Sequence, residues 1–464
     1  MDITPLRDRL KNIGQDQVLR FFDALDAAAQ KRLFDQLNEL DLPAIAELAE
    51  TYVRNRPPAL LPKQIQPVAP WPRKPDTQRR PFYEKAESRG SDLLKHGKAA
   101  AFLVAGGQGT RLGYDGPKGQ FPVTPIKHKP LFQIFAEQIL FHSRKSGRPV
   151  PWYIMTSHAN DAATRSFFQS NKFFGLRSAD EVFFVQGMMP AFAMDGKLLL
   201  ESRDSLALSP DGHGGSLRAL HKSGALADMR RRGVEHLSYF QVDNPLVHVI
   251  DPLFLGLHDL TGSEMSSKTI SKANPLEKVG NFVTGDGKLQ VIEYSDLPKE
   301  LALESAPDGR PMFNAASIGI HALRVSFVER LNASGRLALP WHRAEKKVPC
   351  LDESGNSLKP EKPNAVKLEQ FVFDAIPLAA NALVYETERG EEFSPVKNAE
   401  GDDSPATCTR DQIRRAARWL SECGVAAPNA VVEISPLFAE SADDLRARAK
   451  SPPQIASGQS HYLE

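Results

Sequence analysis

The chain has 464 residues, 41% of them hydrophobic and 25% charged, which is the composition of an ordinary globular protein of two or three folded units. Its 58 Lys and Arg residues balance 57 Asp and Glu residues, and a formal net charge of +1 gives no support for a nucleic-acid-binding protein. Three scattered cysteines without a CxxC pair exclude a disulfide framework and favour a reducing compartment.

The sequence offers no candidate for a membrane segment. The N-terminal residues interleave charges where a signal peptide needs an apolar stretch. The apolar run 99–105 is far shorter than the roughly 20 residues that a membrane-spanning helix requires. We therefore expect a soluble, cytoplasmic protein that does not associate with a membrane.

The N-terminal part of the chain is predicted to be helical and then extended. Thr4 as N-cap, followed by Pro5 and by apolar residues at helical spacing, predicts a first helix, and the pattern extends the helical region to about residue 56. Eight prolines between Pro57 and Pro81 exclude a regular helix or a central strand there. We expect an extended arm lying on the next unit, with an exposed linker as the alternative.

From residue 99 onward, short apolar runs alternate with amphipathic segments. The runs lie at 99–105, 152–157, 182–186 and 237–242, and helical stretches cover 130–146 and 216–232. Buried strands that alternate with helices predict an α/β unit with a mainly parallel sheet, whose ligands bind at the carboxyl ends of the strands.

The last 70 or so residues contain a helical segment at 411–423 and a short apolar run near Val431, which predict a small domain with a frayed tail. We therefore divide the chain into an N-terminal helical region with its proline-rich arm (1–98), an α/β domain (99–388) and a small C-terminal domain (389–464).

The strongest local signal is the segment LVAGGQGTRLGYDGPKG at 103–119, where a buried strand runs into a glycine-rich loop that carries Arg111 and Lys118. Glycines let backbone N–H groups close around phosphate oxygens, and the two cations supply compensating charge. No Gly-Lys pair in the chain is followed by Ser or Thr, so a Walker loop is excluded. A dinucleotide fingerprint starting at Gly107 would need glycine where Leu112 stands.

AGGQGTRLG followed by PKG resembles the signature of the UDP-sugar pyrophosphorylases, specifically the eukaryotic-type UDP-N-acetylhexosamine pyrophosphorylase group. Further blocks resemble that family in the same order, over roughly residues 80 to 405. They are GMMPAFAMDGKLLLES (187–202), SPDGHGG (209–215), QVDNPLV (241–247), EYSDL (293–297), FNAASI (313–318), KPNAVKLEQFVFD (362–374) and EFSPVKNAEG (392–401).

The resemblance implies an α/β fold with a Rossmann-like nucleotidyltransferase (GT-A-like) central domain and a mixed, mainly parallel sheet. It also implies a UTP-dependent uridylyltransferase, in which a sugar 1-phosphate attacks the α-phosphorus of UTP and pyrophosphate leaves. Two polyanions meet in such a reaction, so positive charge and positioning supply most of the catalysis. The implied catalytic cations are Arg111, Lys118 and Lys397. The implied nucleotide-binding residues are Val104, Ala105, Gly106, Gly107, Gln186, Gly212, Asp243 and Lys367.

An ordinary alternative remains for each implied cation. Arg111 and Lys118 can be solvated surface cations. Lys397 can be a lysine on an exposed loop, and Lys367 can be a helix lysine whose stem covers apolar surface.

Asp243 is the candidate metal ligand. It follows the apolar run 237–242 and is expected at a strand end, where a carboxylate suits Mg²⁺ bound between protein and substrate phosphates. The resemblance assigns this role to the aspartate of the VDN block. A turn or capping role beside Asn244 and Pro245 is the alternative.

The resemblance implies sugar contacts at His213, Glu293, Tyr294 and Asn314. N-acetylhexosamine enzymes usually have Gly-Asn-Gly-Gly where this chain has Gly-His-Gly-Gly at 212–215, and GHG resembles the UDP-glucose and broad-specificity enzymes. In FNAASI, Ala316 and Ser317 replace the usual Gly-Asn. His213 can also be an inert loop residue, and Tyr294 can be buried only for packing.

The sequence therefore favours a Mg²⁺-dependent uridylyltransferase acting on N-acetylglucosamine 1-phosphate. A UTP–glucose-1-phosphate or galactose-1-phosphate uridylyltransferase is the alternative within enzymes, supported by His213. A regulator that binds nucleotide sugars without catalysis is the alternative from another class, and the retained cations argue against it.

Overall fold

The computed structural model of the chain describes residues 2–56, 61–448 and 455–464. Internal packing divides the chain into two units, both built from separate stretches. Unit 1 comprises Met1–Leu60, Gly187–Gly215 and Leu339–Val372, and unit 2 comprises Leu61–Gln186, Ser216–Ala338 and Phe373–Glu464. The boundaries of these two units differ from those of the three predicted segments 1–98, 99–388 and 389–464, which stay a prediction. It depends on contacts between residues that lie far apart in the sequence.

The regular elements of the described residues are as follows. The α-helices are α1 (Thr4–Asn12), α2 (Ala27–Glu39), α3 (Leu42–Leu48), α4 (Arg80–Lys95), α5 (Leu131–Ser146), α6 (Asp161–Ser170), α7 (Gly215–Lys222), α8 (Ala225–Arg232), α9 (Pro252–Leu260), α10 (Lys299–Leu303), α11 (Val325–Leu331), α12 (Arg389–Glu392), α13 (Pro405–Glu422) and α14 (Ala442–Arg448). The strands are β1 (Ile65–Pro67), β2 (Ala99–Val104), β3 (Trp152–Thr156), β4 (Glu181–Val185), β5 (Met188–Pro190), β6 (Phe192–Ala193), β7 (Leu200–Ser202), β8 (Ser205–Leu206), β9 (Leu208–Pro210), β10 (His236–Gln241), β11 (Met265–Ser271), β12 (Asn281–Gly285), β13 (Lys288–Ile292), β14 (Ala315–Arg324), β15 (His342–Lys346), β16 (Cys350–Leu351), β17 (Ser357–Leu358), β18 (Ala365–Glu369), β19 (Ala382–Glu386), β20 (Val431–Ile434) and β21 (Ser460–Leu463). Within the described ranges, no helix has the length and apolarity that crossing a membrane requires.

Unit 1 packs the three N-terminal helices on short strands. The three-stranded sheet β15–β18–β6 is antiparallel, and β5–β9, β7–β8 and β16–β17 form two-stranded pieces. The apolar residues of α1 and α2 recur at helical spacing, so Leu10 and Leu33 face the same side. They pack in one hydrophobic core with Phe192 and Leu368. The predicted N-terminal helix is present, but Thr4 is its first residue and Ile3 its N-cap, so the predicted cap is wrong by one residue.

Unit 2 contains a ten-stranded mixed sheet. Strands β10, β2, β3 and β4 are parallel neighbours, and β14 pairs antiparallel with β10 on one edge and with β11 on the other. Strands β2 and β3 are buried on both faces, which is why they were visible in the sequence as continuous apolar runs. The predicted α/β class with a mixed, largely parallel central sheet is confirmed.

The described part of the proline-rich segment is extended. Ile65–Pro67 pairs antiparallel with β12 at the edge of the sheet. The Trp71 N–H donates to the Val384 carbonyl at 2.8 Å, and the Glu386 N–H donates to the Trp71 carbonyl at 2.8 Å. The segment therefore lies along the sheet as an arm, while residues 57–60 are outside the described part of the chain.

Two predicted elements differ from the structure. The predicted helix 216–232 is two helices, α7 and α8, because Gly224 between them has a left-handed φ of +82°. Part of the predicted frayed tail, Ser460–Leu463, forms a strand that pairs in parallel with Val431–Ile434. Residues 449–454 lie outside the described part of the chain.

Helices α4 and α9 cross at two glycines. A Cβ atom at Gly90 would lie 1.7 Å from the carbonyl oxygen of Pro252, and one at Gly256 would lie 1.7 Å from that of Ala86. The absence of side chains at these positions lets the two backbones approach, and the pair covers the sheet beside β10 and β2.

Candidate functional site

The glycine loop after β2 folds back on itself. The Gly109 N–H donates to the Gly116 carbonyl at 2.8 Å, and the Lys118 N–H donates to the Gly107 carbonyl at 3.1 Å. A Cβ at Gly109 would lie 2.9 Å from Tyr114, so this turn requires a glycine. Gly107 is exposed, with open space where a side chain would project. The loop thus places Lys118 beside Gly107, at the carboxyl end of β2 with Val104 and Ala105.

A buried asparagine that sequence reasoning missed supports this loop. The Nδ2 of Asn160 donates to the Ala105 carbonyl at 2.9 Å and to the Gly107 carbonyl at 3.3 Å. Its Oδ1 accepts from the Ser157 N–H at 2.8 Å. Asn160 is the N-cap residue of α6, and no sequence signal connects it to a loop more than fifty residues away.

Gln186 lies against the same loop. It directly follows β4, its side chain is buried, and a Cβ at Gly106 would lie 2.9 Å from its Oε1. A buried amide offers one hydrogen-bond donor group and one acceptor, as the hydrogen-bonding edge of uracil requires. The structure therefore brings Gln186 and Gly106 together, although they are eighty residues apart.

The glycine loop carries two cations, Arg111 and Lys118. Arg111 is exposed and Lys118 is half-buried, and no described residue forms an ion pair with either side chain. Lys397 is different, because its Nζ lies 3.4 Å from Asp403 in a partly exposed pair. Such exposed pairs are weak, at about 0–1 kcal/mol, so an anionic ligand can displace the Asp403 contact.

Asp243 fits the predicted metal site. It lies two residues beyond the end of β10 and is half-buried, and within the described ranges its carboxylate accepts no hydrogen bond and forms no ion pair. The same ranges contain no cluster of three His, Cys, Asp or Glu side chains that could hold a metal. Mg²⁺ at Asp243 would therefore take its other oxygen ligands from substrate phosphates and water, which is its usual preference.

Three of the predicted sugar contacts lie in unit 2. Asn314 donates from Nδ2 to Ser271 Oγ at 3.2 Å and accepts from the Lys272 N–H at 3.0 Å. Tyr294 is 48% exposed, so the alternative that it is buried for packing is wrong. Glu293 precedes it at the end of β13 and is half-buried.

Lys272 is a further residue that sequence reasoning missed. It is buried, its Nζ donates to Asn281 Oδ1 at 2.8 Å, and burial lowers its pKa. Within the described residues it has no ion-pair partner, so it is a buried cation beside Asn314. The strand before Lys272, β11, is buried but has the mostly polar sequence MSSKTIS, so nothing in the sequence distinguishes this lysine from a surface lysine.

The remaining predicted residues lie in unit 1. His213 follows Gly212, whose φ is +84°, and its Nδ1 accepts from the Val372 N–H at 3.1 Å. Its ring stacks on Phe371 with centroids 5.2 Å apart. Because Nδ1 accepts, the proton of the neutral ring is on Nε2. Burial, with a smaller contribution from His342, lowers the pKa of His213 to about 4, so the ring is neutral at physiological pH.

The glycines of the same block allow a close approach of two backbone segments. The Gly214 N–H donates to the Gln370 carbonyl at 2.7 Å, and the Gln370 N–H donates to the Asp211 carbonyl at 2.9 Å. A Cβ at Gly212 would lie 2.4 Å from the Gln370 carbonyl oxygen. Lys367 lies on strand β18, so the alternative of a helix lysine is wrong. It is half-buried, and no described residue forms an ion pair with it.

Comparison with known proteins identifies the family of this chain. The chain matches the UTP–glucose-1-phosphate uridylyltransferase family over residues 46–460. It is 38% identical to the human UDP-N-acetylhexosamine pyrophosphorylase-like protein 1, with 95% of this chain and 93% of the relative covered. It is 36% identical to UDP-N-acetylglucosamine diphosphorylase 1 of Arabidopsis thaliana, with 95% and 90% covered.

A solved structure has the same fold. The uridine diphosphate N-acetylglucosamine pyrophosphorylase from Trypanosoma brucei, in complex with an inhibitor, aligns with a TM-score of 0.81 at 25% identity. The alignment covers 100% of this chain and 98% of that one. The chain therefore belongs to the UTP–glucose-1-phosphate uridylyltransferase family, and the predicted resemblance is confirmed. It is a UTP-dependent sugar-1-phosphate uridylyltransferase, as the sequence predicted.

Proposed function

We propose that this protein transfers the uridylyl group of UTP to N-acetylglucosamine 1-phosphate, producing UDP-N-acetylglucosamine and pyrophosphate. The observation that carries the proposal is the edge of the unit 2 sheet where β2 and β10 end. There, a preformed glycine loop and Asp243 follow adjacent parallel strands, and neither the two loop cations nor the Asp243 carboxylate forms an ion pair with a described residue. The names of the relatives, most of which specify an N-acetylated hexosamine, support the choice of sugar.

The reaction is an in-line displacement at the α-phosphorus of UTP. A phosphate oxygen of the sugar 1-phosphate forms a bond to the α-phosphorus. At the same time the bond between the α-phosphorus and the oxygen that bridges it to the β-phosphate breaks, and pyrophosphate leaves with that electron pair. Arg111 and Lys118 bind the phosphates that become pyrophosphate, and Lys397 stabilises charge on the reacting phosphates. Gln186, against Gly106, reads the uracil edge.

We further propose that Asp243 holds Mg²⁺. Mg²⁺ held by the Asp243 carboxylate would supply positive charge that stabilises the negative charge of the reacting phosphates. The proposed role of Asp243 is to fix the position of that charge at the end of β10, and the assignment is supported by its carboxylate, which forms no ion pair with a described residue. Lys367 and the backbone of Gly212 are proposed as further nucleotide contacts.

His213, Glu293, Tyr294 and Asn314 are proposed to contact the sugar. A neutral His213 with its proton on Nε2 can donate to a sugar hydroxyl or to the acetamido carbonyl. This ambiguity keeps one alternative open, in which the enzyme acts on glucose 1-phosphate or galactose 1-phosphate. We also propose a cytoplasmic location, which is supported by the three cysteines without a CxxC pair.

Pyrophosphate release tests the proposal. The purified protein is supplied with UTP and Mg²⁺, and with one of four 1-phosphates: N-acetylglucosamine, N-acetylgalactosamine, glucose or galactose. A preference for N-acetylglucosamine 1-phosphate is the expected result, and His213 then takes the place of asparagine in an N-acetylhexosamine pocket. A preference for glucose or galactose would support the alternative, and release with none of the four would refute the proposed function.

A further inference from the structure

The segment that carries Lys397 is hydrogen-bonded to the turn that carries Asp243. Asn244, the residue after Asp243, is only 5% exposed, and its Nδ2 donates to the Glu392 carbonyl at 2.6 Å. Its Oδ1 accepts from the Ser394 N–H at 3.1 Å. Two residues further along, the Val396 N–H donates to the Asp243 carbonyl at 2.7 Å. Residues 392, 394 and 396 are thus bonded to two consecutive residues of the turn.

The other end of the same segment is fixed by a buried ion network. Lys268, which is fully buried on β11, donates from Nζ to both carboxylate oxygens of Glu392 at 2.6 and 2.7 Å. The same Nζ donates to Asp251 at 2.6 Å, and Asp251 caps α9. Thr387 Oγ1 donates to Glu392 at 3.0 Å. Glu392 is therefore anchored to the sheet by its side chain and to Asn244 by its carbonyl.

These contacts determine what Asn244 can do. Its amide already bonds to backbone groups at both ends and is buried, so it is not available to a substrate. Its bonds instead set the distance between the Asp243 turn and the chain that leads to Lys397. Small displacements of charged groups reduce the rate of phosphoryl-type transfer strongly, because the groups must be placed before the transition state forms.

We propose that Asn244 is a positioning residue that holds the Lys397 segment in register with Asp243 during uridylyl transfer. The inference rests on the proposed function, because it assigns Lys397 and Asp243 to the reaction. Loss of the Asn244 amide should loosen residues 393–396, while the Lys268 contacts still hold Glu392 and the sheet stays intact. Its effect on turnover should therefore act through Lys397.

A double-mutant cycle tests this dependence. Asn244→Ala should lower kcat by about ten- to a hundredfold, with a smaller change in the KM for UTP, in the wild-type background. In a Lys397→Ala background the same substitution should change kcat by less than about threefold, because the positioned group is already absent. Equal losses in the two backgrounds would overturn the proposal.

A matched control separates positioning from general loss of stability. Asn332 is also a buried asparagine, 3% exposed, whose Nδ2 donates to the carbonyls of Val328 at 2.8 Å and Leu217 at 3.2 Å. Asn332→Ala should reduce thermal stability as Asn244→Ala does and leave kcat within about threefold of wild type. An equal loss of kcat in the control would overturn the proposal.

Hydrogen exchange gives a readout that does not depend on activity. In folded Asn244→Ala, the amide hydrogens of Ser394 and Val396 should exchange at least about tenfold faster than in wild type, while the Val242 amide, bonded to the Val104 carbonyl, should not change. Unchanged exchange at Ser394 and Val396 would overturn the proposal. If the wild-type protein released no pyrophosphate, the proposed function and the catalytic role of Asn244 would both fail, and the exchange rates would still decide whether Asn244 holds the segment.

Discussion

Replacing Lys118 with alanine should reduce turnover greatly while leaving the loop folded. The Lys118 N–H bond to Gly107 and the Phe121 N–H bond to the Lys118 carbonyl, at 3.1 and 3.0 Å, involve only backbone atoms and survive the substitution. The ammonium group is half-buried and has no ion-pair partner among the described residues, so nothing in the protein compensates for its loss. Removal of one positioned donor from a charged transition state costs about 2.7–4 kcal/mol, or roughly 10²–10³ in kcat.

The assay is steady-state pyrophosphate release at saturating UTP and sugar 1-phosphate, with a thermal melt of each variant. Lys118→Met keeps the aliphatic stem and should lose as much activity as Lys118→Ala, because the charge is the part that matters. Lys98→Ala is the control. Its Nζ pairs with Glu235 at 2.6 Å on the surface. Its removal should therefore leave kcat within about threefold of wild type and change the free energy of unfolding by no more than about 0.5 kcal/mol. A kcat for Lys118→Ala within about threefold of wild type would refute the assignment.

Three further outcomes are expected. Asp243→Asn should raise the Mg²⁺ concentration for half-maximal activity by at least about tenfold at unchanged melting temperature, and an unchanged Mg²⁺ titration would remove Asp243 as a metal ligand. Gly256→Ala, whose Cβ would lie 1.7 Å from the Ala86 carbonyl oxygen, should lower the free energy of unfolding in urea by about 1–3 kcal/mol or more; an unchanged midpoint would contradict the packing of α4 on α9. Burial lowers the pKa of His142 to about 4, so its contribution is present above the unfolded value of about 6.5 and is lost as the pH falls towards 4. His142→Phe should therefore lose less stability than wild type between pH 6.5 and 4, and parallel pH profiles would argue against this cause.

Local sequence predicted the parts of the fold that local physics determines. Strands β2, β3 and β10 are buried along almost their whole length, so their apolar runs stood out from the amphipathic helices between them. Because the carboxyl ends of parallel strands meet at one edge, the positions of Gln186 and Asp243 at strand ends followed from the same pattern. The two side chains were found where the strand assignment put them.

Contacts between distant residues could not be predicted in this way. Asn160 supports the glycine loop through the carbonyls of residues 105 and 107. Nothing in the sequence around Asn160 predicts a contact with that distant loop. Unit 1 joins three stretches separated by more than a hundred residues, and no composition shift marks its later two pieces. Lys367 lies on β18, a strand of only five residues, and periodicity over so short a stretch does not distinguish a strand from a helix.

The internal hydrogen bonds of the glycine loop have a consequence for the kinetics of UTP binding. Its own backbone bonds and the Asn160 amide already hold the loop in one conformation. Ordering a flexible loop costs about 1–2 kcal/mol per residue in conformational entropy, and a loop that is ordered beforehand avoids this loss on binding. Nucleotide capture should therefore be fast and limited by the diffusion and electrostatic attraction of UTP, with no slow loop-folding phase in the association kinetics. Asn160→Ala should introduce such a phase, because the loop would then have to order around the phosphates.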